Sequence, residues 1–351
     1  MSIVLRALKV LMCMALLSAP SAVLAQKKEL VIVTPGGEFE KALKDNFFDP
    51  FAKSTGTDIV LVSASSSNQW AKAKAMAQSG KIEWDLVSAI PPDLTKNRDL
   101  LTKLDCSQLP NIEKFGILGT CMEYGVLRNT GAGVMTWNAK TYPPGKEPKS
   151  WADFFDVARF PGKRALMDAG YEGWMMMTAL VADGVARDKH FPLDVDRAIK
   201  KLEQLKPHVS VWWKTGDQSQ NIMRSGEADM AILWSGRAIS LKRTGTPVDY
   251  SWNQSVRDPG LWGVLKGAPH MELALQFVNF FMGNPEAHLA FSRQMVYGTS
   301  NRVASSMATE EEKKLWATTA ENWNAQLVPD WMWLANNEEM LRKRFAEMLL
   351  R

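Results

Sequence analysis

The alternation of short apolar runs with stretches of helical periodicity restricts the fold of this chain more than any other feature. LVIV from Leu30, DIVLVSAS from Asp58 and WDLVSAI from Trp84 have the pattern of buried strands. The segments between them have helical spacing and end at Gly56 and Gly80. Strands and helices in this order predict a parallel sheet with right-handed crossover connections.

A second α/β unit is predicted after the strand GVMTWN and the loop TYPPGKEPKS. RALMDA and ADMAILW predict strands separated by helices, and PVDYSW and LWGVLK predict two further strands. An amphipathic helix over His270–Met282, a helix from Pro285 and a helical tail from Thr309 complete the pattern. Ser150 with Asp153, and Thr309 with Glu312, have the spacing of a capping box.

Small and hydroxylic residues follow the first three predicted strands. Ligands of parallel sheets bind beyond the carboxyl ends of the strands. We therefore expect Thr34, Ser66 and Ser88, which lie in TPGG, SSSN and SAIP, to contribute to a ligand site.

The amino terminus has the pattern of a cleavable secretory signal over residues 1–25. Arg6 and Lys9 precede the apolar run 10–17, and small residues precede Gln26. A membrane anchor is the alternative, but the run is much shorter than the roughly 20 residues of a spanning helix. Cys13 lies inside the run, which argues against a lipoprotein. We expect a soluble periplasmic protein.

Length and charge narrow the classes of function. The chain has 351 residues and a net charge of +4, which falls to +2 without the signal. The length is enough for about two domains. The weak positive charge argues against nucleic acid as a partner. Cys106 and Cys121 remain after export, either as a disulfide worth about 3 kcal/mol or as two buried thiols.

The motifs of common enzymes are missing from the sequence. The nucleophile elbow G-x-S-x-G, S-x-x-K, H-E-x-x-H and the phosphate and dinucleotide loops do not occur. The glycines at 131 and 133 lack the third glycine of a dinucleotide motif, and we interpret them as a turn. The four histidines, at 190, 208, 270 and 288, have no metal-ligand spacing, and we interpret them as solvated surface residues. No metal or cofactor is expected.

An ordered set of segments resembles the type II periplasmic solute-binding proteins of ABC importers, and among them the spermidine/putrescine-binding branch. The segments are WDLVSAI, PKSWADFFDVARFPGKRALM, GEADMAILWSGRA, RTGTPVDYSW, ELALQFVNFFMGNPEAH and MVYGTSNRVA. The resemblance implies an α/β fold of two lobes, each a mostly parallel sheet flanked by helices, with the ligand cleft between them. It implies residues 26–130 and 251–303 in lobe one, and 131–250 and 304–351 in lobe two.

The resemblance also implies site residues. Trp234 matches a cleft tryptophan that stacks on an amine, although a tryptophan at a strand end also fits a core. Glu172 matches an acid that binds an ammonium, although acids are also favoured in the first turn of any helix. Tyr297 matches a cleft tyrosine. Asp168, Tyr171 and Trp174 surround Glu172 in the sequence, and we expect at least one of them in the same cleft.

Departures from the polyamine branch point to a different ligand. Arg237 replaces a small polar residue, and it either holds a carboxylate or points to solvent. The position at which the polyamine branch carries an aspartate falls near Gly260 in this chain, and Asp258 lies two residues away. Asp217 is either a helix N-cap or a ligand contact. Glu172 together with Arg237 would suit a zwitterion better than spermidine. The tryptophans at 316, 323, 331 and 333 are interpreted as packing.

The sequence therefore predicts a monomeric receptor that captures a small organic solute by closure of two lobes and delivers it to an ABC permease in the inner membrane. Receptors for an oxyanion or a metal chelate are alternatives within the same class. An exported hydrolase or transferase on a similar scaffold is the alternative from another class.

Overall fold

The computed structural model describes residues 28–64, 66–168 and 170–351. The predicted signal peptide at 1–25 lies outside the described residues, as do Ser65 and Ala169. Within the described ranges, no helix combines the length and the apolar character that crossing a membrane requires.

Ten strands form one hydrogen-bonded sheet. The strands are β1 Glu29–Thr34, β2 Asp58–Ser63, β3 Leu86–Ala89, β4 Cys121–Met122, β5 Gly125–Asn138, β6 Arg164–Met167, β7 Val209–Trp213, β8 Met230–Trp234, β9 Val248–Val264 and β10 Gly298–Thr299. Their order is β2-β1-β3-β9-β5-β8-β6-β7, and β4 and β10 both pair with β5. The predicted α/β class is confirmed, because β1 pairs in parallel with β2 and β3, and β6 pairs in parallel with β7 and β8.

The two longest strands, β5 and β9, connect the two parallel groups. They pair antiparallel from Val126 opposite Trp262 to Asn138 opposite Val248. The segments PVDYSW and LWGVLK, predicted as separate strands, are therefore the two ends of one strand, β9. The interpretation of Gly131 and Gly133 as a turn is wrong, because both lie inside β5.

Helices cover both faces of the sheet. They are α1 Gly37–Leu43, α2 Asp49–Thr55, α3 Ser66–Ser79, α4 Pro91–Lys96, α5 Pro110–Phe115, α6 Trp151–Phe155, α7 Glu172–Ala182, α8 Val195–Leu205, α9 Gly216–Ser225, α10 Ser235–Arg243, α11 Met271–Met282, α12 Pro285–Met295, α13 Arg302–Met307, α14 Glu310–Lys314, α15 Ala320–Ala325 and α16 Trp331–Leu350. A π-helical segment, Lys44–Phe48, joins α1 to α2. Both predicted N-caps are present, since the side chains of Ser150 and Thr309 accept from the N–H groups of Asp153 and Glu312.

Apolar side chains collect in separate cores. The largest contains Trp151, Trp213 and Phe345, with residues of β5 to β8 and of helices α7, α8 and α16. Two others lie on opposite faces of the β1–β3 group, one around Phe47 and Phe277 and one around Trp70, Trp84 and Val87. A small fourth core joins Leu289 to Ala304, Ala308 and Trp316. The long strands β5 and β9 contribute side chains both to the largest core and to the core around Phe47 and Phe277.

Two of the four histidines are buried, which corrects their interpretation as solvated. His288 is 1% exposed, its Nε2 lies 3.0 Å from the carbonyl oxygen of Phe281, and burial lowers its pKa to about 3. His190 is 4% exposed, and burial lowers its pKa as well. Both rings are held in cores by packing that helical periodicity alone did not indicate.

A disulfide joins Cys106 to Cys121, with their Cα atoms 6.2 Å apart and a sequence separation of 15 residues. We expect the double variant Cys106→Ser/Cys121→Ser to lose about 3 kcal/mol of the free energy of unfolding, because its denatured chain is no longer constrained by the closed loop. Urea denaturation of the wild type with and without reductant, alongside the variant, measures this. Equal stability of all three samples would contradict the expectation.

Candidate functional site

Two adjoining cavities lie against the crossing strands β5 and β9. The larger has a volume of about 900 Å³ and the smaller about 170 Å³. Ile90 and Asp258 line both, so the two spaces meet at these side chains. The larger is lined by the loop after β1, by polar residues of β5 and β9, by one face of α10 and by the segment around Tyr297. The smaller lies between α4, the start of α7 and α16.

Asp258 places a carboxylate on the wall between the cavities. It lies on β9 opposite Gly131 and is half-buried. Among the residues that the structure describes, no hydrogen-bond or ion-pair partner is found for it. Burial raises the pKa of this carboxyl to about 6. An ammonium group of a ligand would supply the missing counter-charge.

Arg128, which the sequence reading did not single out, is a buried cation on the wall of the larger cavity. It lies on β5, is 6% exposed, and burial lowers its pKa to about 9, so it remains charged at neutral pH. Its guanidinium donates to Asn129 and Ser88 and stacks 4.6 Å from the ring centre of Phe39. No carboxylate partner exists within the described part of the chain. In the sequence, a charged arginine within the largely apolar segment that forms β5 could have identified it as a candidate site residue.

Tyr297 approaches the crossing strand closely because two glycines face it. A β-carbon added to Gly131 would lie 3.1 Å from Cε1 of Tyr297, and one added to Gly236 would lie 3.7 Å away. The ring packs edge-on against Phe39, and burial raises the pKa of its hydroxyl. Small residues at these positions therefore bring the predicted tyrosine onto the wall of the larger cavity.

Arg237 and Asp217 form an ion pair at the same cavity. Nη1 of Arg237 donates to Oδ1 of Asp217 at 3.0 Å and to Oε1 of Gln220 at 3.1 Å. The alternative of Asp217 as a helix N-cap is wrong, because Thr215 caps α9 and accepts from the N–H of Gln218. Both predicted residues line the cavity.

The smaller cavity brings together Tyr171, Glu172 and Trp174. Glu172 begins α7, is 4% exposed, and its Oε1 has no hydrogen-bond partner in the described structure. Burial raises the pKa of Tyr171 above its usual value. Trp331 packs against the largest core, as its interpretation as a packing residue predicts, and also lines this space. Lys96 of α4 and Glu338 of α16 form an ion pair at its edge.

Five predicted site residues lie outside the walls of both cavities. Thr34 is buried and donates to Glu40, while Ser88 accepts from the Arg128 guanidinium. Asp168 pairs with Lys214 at 3.3 Å. The other two are Ser66, which donates to Asp93 at 3.3 Å, and Trp234, whose ring packs 5.7 Å from Tyr171 and 5.2 Å from Trp213. Ser66, Ser88 and Trp234 thus contact residues that line the cavities.

The fold, with cavities against its crossing strands, is that of a class of solute-binding proteins. The model of the bacterial extracellular solute-binding protein family matches residues 46–322, which is more than half of the chain. The chain belongs to this family. It is a substrate-binding protein of the ABC-transporter type, as the resemblance in the sequence predicted.

Individual relatives agree with this assignment. The gamma-aminobutyric acid-binding protein of Pseudomonas aeruginosa is 31% identical over 337 residues, covering 94% of this chain and 93% of that protein. The spermidine/putrescine-binding periplasmic protein of Escherichia coli is 24% identical over 278 residues, covering 75% and 76%. The structure of an ABC transporter substrate-binding protein from Bradyrhizobium japonicum has a TM-score of 0.84 and 33% identity, covering 92% of this chain and 100% of that one.

Because the carboxylate of Asp258 is unpaired, we expect the free energy of unfolding of the ligand-free protein to depend on pH. The pKa of Asp258, about 6, lies above the ordinary value of 3.8, so the folded state binds this proton more tightly than the unfolded state does. Stability is therefore lost as the pH rises from about 4 through 6. We expect Asp258→Asn to stabilise the ligand-free protein by about 1–3 kcal/mol at pH 8 and to have no effect at pH 4. Urea denaturation at both pH values measures this, and an equal effect at both would contradict it.

Proposed function

We propose that this protein is a periplasmic receptor for a small zwitterion, an amino acid whose ammonium and carboxylate are separated by several carbon atoms. The observation that carries the proposal is the buried Arg128 without a carboxylate partner on the same cavity wall as the unpaired Asp258. A buried charge is costly unless it is paired. A ligand with one carboxylate and one ammonium pairs both.

The spacing of the two charges supports a chain amino acid over an α-amino acid. Nη2 of Arg128 lies 2.8 Å from where a β-carbon on Gly260 would stand. Asp258 precedes Gly260 by two positions on β9 and therefore shares its face, about 7 Å away along the strand. A single carbon separates the two charges of an α-amino acid, which is too short. Gamma-aminobutyrate, with three methylene groups, has a better length, and a relative that binds it is 31% identical to this chain.

We propose that ligand binding acts by closing the two lobes. The proposed lobes, 26–130 with 251–303 and 131–250 with 304–351, would swing about the crossing strands and enclose the ligand. Contacts that exist only in the closed form shift the equilibrium towards it. A permease in the inner membrane would recognise the closed form and receive the ligand chemically unchanged. Export by a cleaved signal at 1–25 and action as a monomer are parts of the same proposal.

Substitution of Arg128 tests the carboxylate contact. We expect the wild type to bind gamma-aminobutyrate and Arg128→Lys to bind it about 10- to 100-fold more weakly, because lysine keeps the charge and loses the bidentate geometry. Putrescine has no carboxylate, so the wild type and Arg128→Lys should bind it with equal affinity or not at all. Isothermal titration calorimetry of the two compounds measures this.

The control for this experiment is Arg302→Lys. Arg302 is exposed, donates to the carbonyl oxygen of Lys114 and lines neither cavity. Unchanged binding of gamma-aminobutyrate by Arg128→Lys would refute the assigned contact. Recovery of a chemically altered ligand after incubation would instead favour the exported enzyme.

A further inference from the structure

One face of α10 presents two arginines to the larger cavity. Arg237, Ser240 and Arg243 recur every third residue, which places them on one side of the helix, and all three line the cavity. Within the described part of the chain, Arg243 has no carboxylate partner. The carboxylate partner of Arg237 is Asp217, whose side chain is 82% exposed.

This arginine face belongs to the same site as the charges of the proposed zwitterion pocket. Asp258, Arg237 and Arg128 all act electrostatically on the hydroxyl of Tyr297. The cavity of about 900 Å³ lies within the range of pockets for drug-sized ligands and is larger than a four-carbon amino acid needs. Space and positive charge are therefore both left over once Arg128 and Asp258 have been paired.

We propose that Arg237 and Arg243 form a second anion subsite, and that the preferred ligand is a secondary amine carrying two carboxylate arms. One carboxylate binds Arg128, the amine binds Asp258, and the second carboxylate binds the arginine face of α10. This rests on the proposed function, which supplies the first two contacts. Asp217 then acts as a resident counter-ion that the ligand replaces at Arg237. Its exchange is cheap, because an exposed ion pair contributes little.

Two compounds that differ only in the distal carboxylate test the subsite. The diacid is 4,4′-iminodibutyrate, and its matched partner is N-butyl-4-aminobutyrate, in which a methyl group replaces the second carboxylate. We expect the wild type to bind the diacid at least tenfold more tightly in calorimetric titrations. Arg237→Gln and Arg243→Gln should each reduce this ratio by about fivefold or more.

The control is Arg224→Gln, on the neighbouring helix α9. Arg224 donates to Asn221 and does not line the cavity, so its loss removes the same charge without touching the ligand. It should leave the ratio at the wild-type value. Equal affinity of the wild type for both compounds would overturn the second subsite and leave the zwitterion receptor standing. Binding of neither compound would also overturn the second subsite, and a calorimetric titration with gamma-aminobutyrate in the same series would then decide whether the zwitterion receptor stands.

Discussion

The antiparallel pairing of β5 with β9 is the interaction on which the rest of the structure depends. Its register runs through both groups of parallel strands and contributes apolar side chains to the cores on either side. The same two strands carry Arg128 and Asp258. Because backbone hydrogen bonds hold both strands, the two charges are positioned by the sheet rather than by flexible loops. The spacing of the binding groups follows from strand geometry.

Burial of charge without a partner is the cost that this arrangement carries. Arg128 donates to neutral groups and lies against aromatic rings, and Asp258 is half-buried with no partner among the described residues. Both groups are destabilising to the empty protein, and the proposed zwitterion would compensate both. The free energy lost by burying these two charges without partners would be regained on ligand binding. A protein optimised for stability alone would not keep such unpaired charges.

Glycines and aromatic residues shape the cavities around these charges. A β-carbon on Gly131 or Gly133 would crowd Tyr297 or Trp174, so bare backbone in the middle of β5 makes room for both rings. Trp234 packs on Tyr171, whose ring lines the smaller cavity. The place of Trp234 in the ligand cleft stays a prediction.

The sequence by itself determined most local elements and the α/β class, because hydrophobic periodicity, caps and turn residues act over short distances along the chain. The family followed from the resemblance of an ordered set of segments. The sequence also identified Glu172, Arg237, Asp258 and Tyr297 as candidates. Only the tertiary structure decided that two short apolar segments form one strand, that His190 and His288 are buried, and that Arg128 faces a cavity. These depend on which distant segments pair. The pairing of β5 with β9 joins residues more than a hundred positions apart, and no local pattern encodes that register.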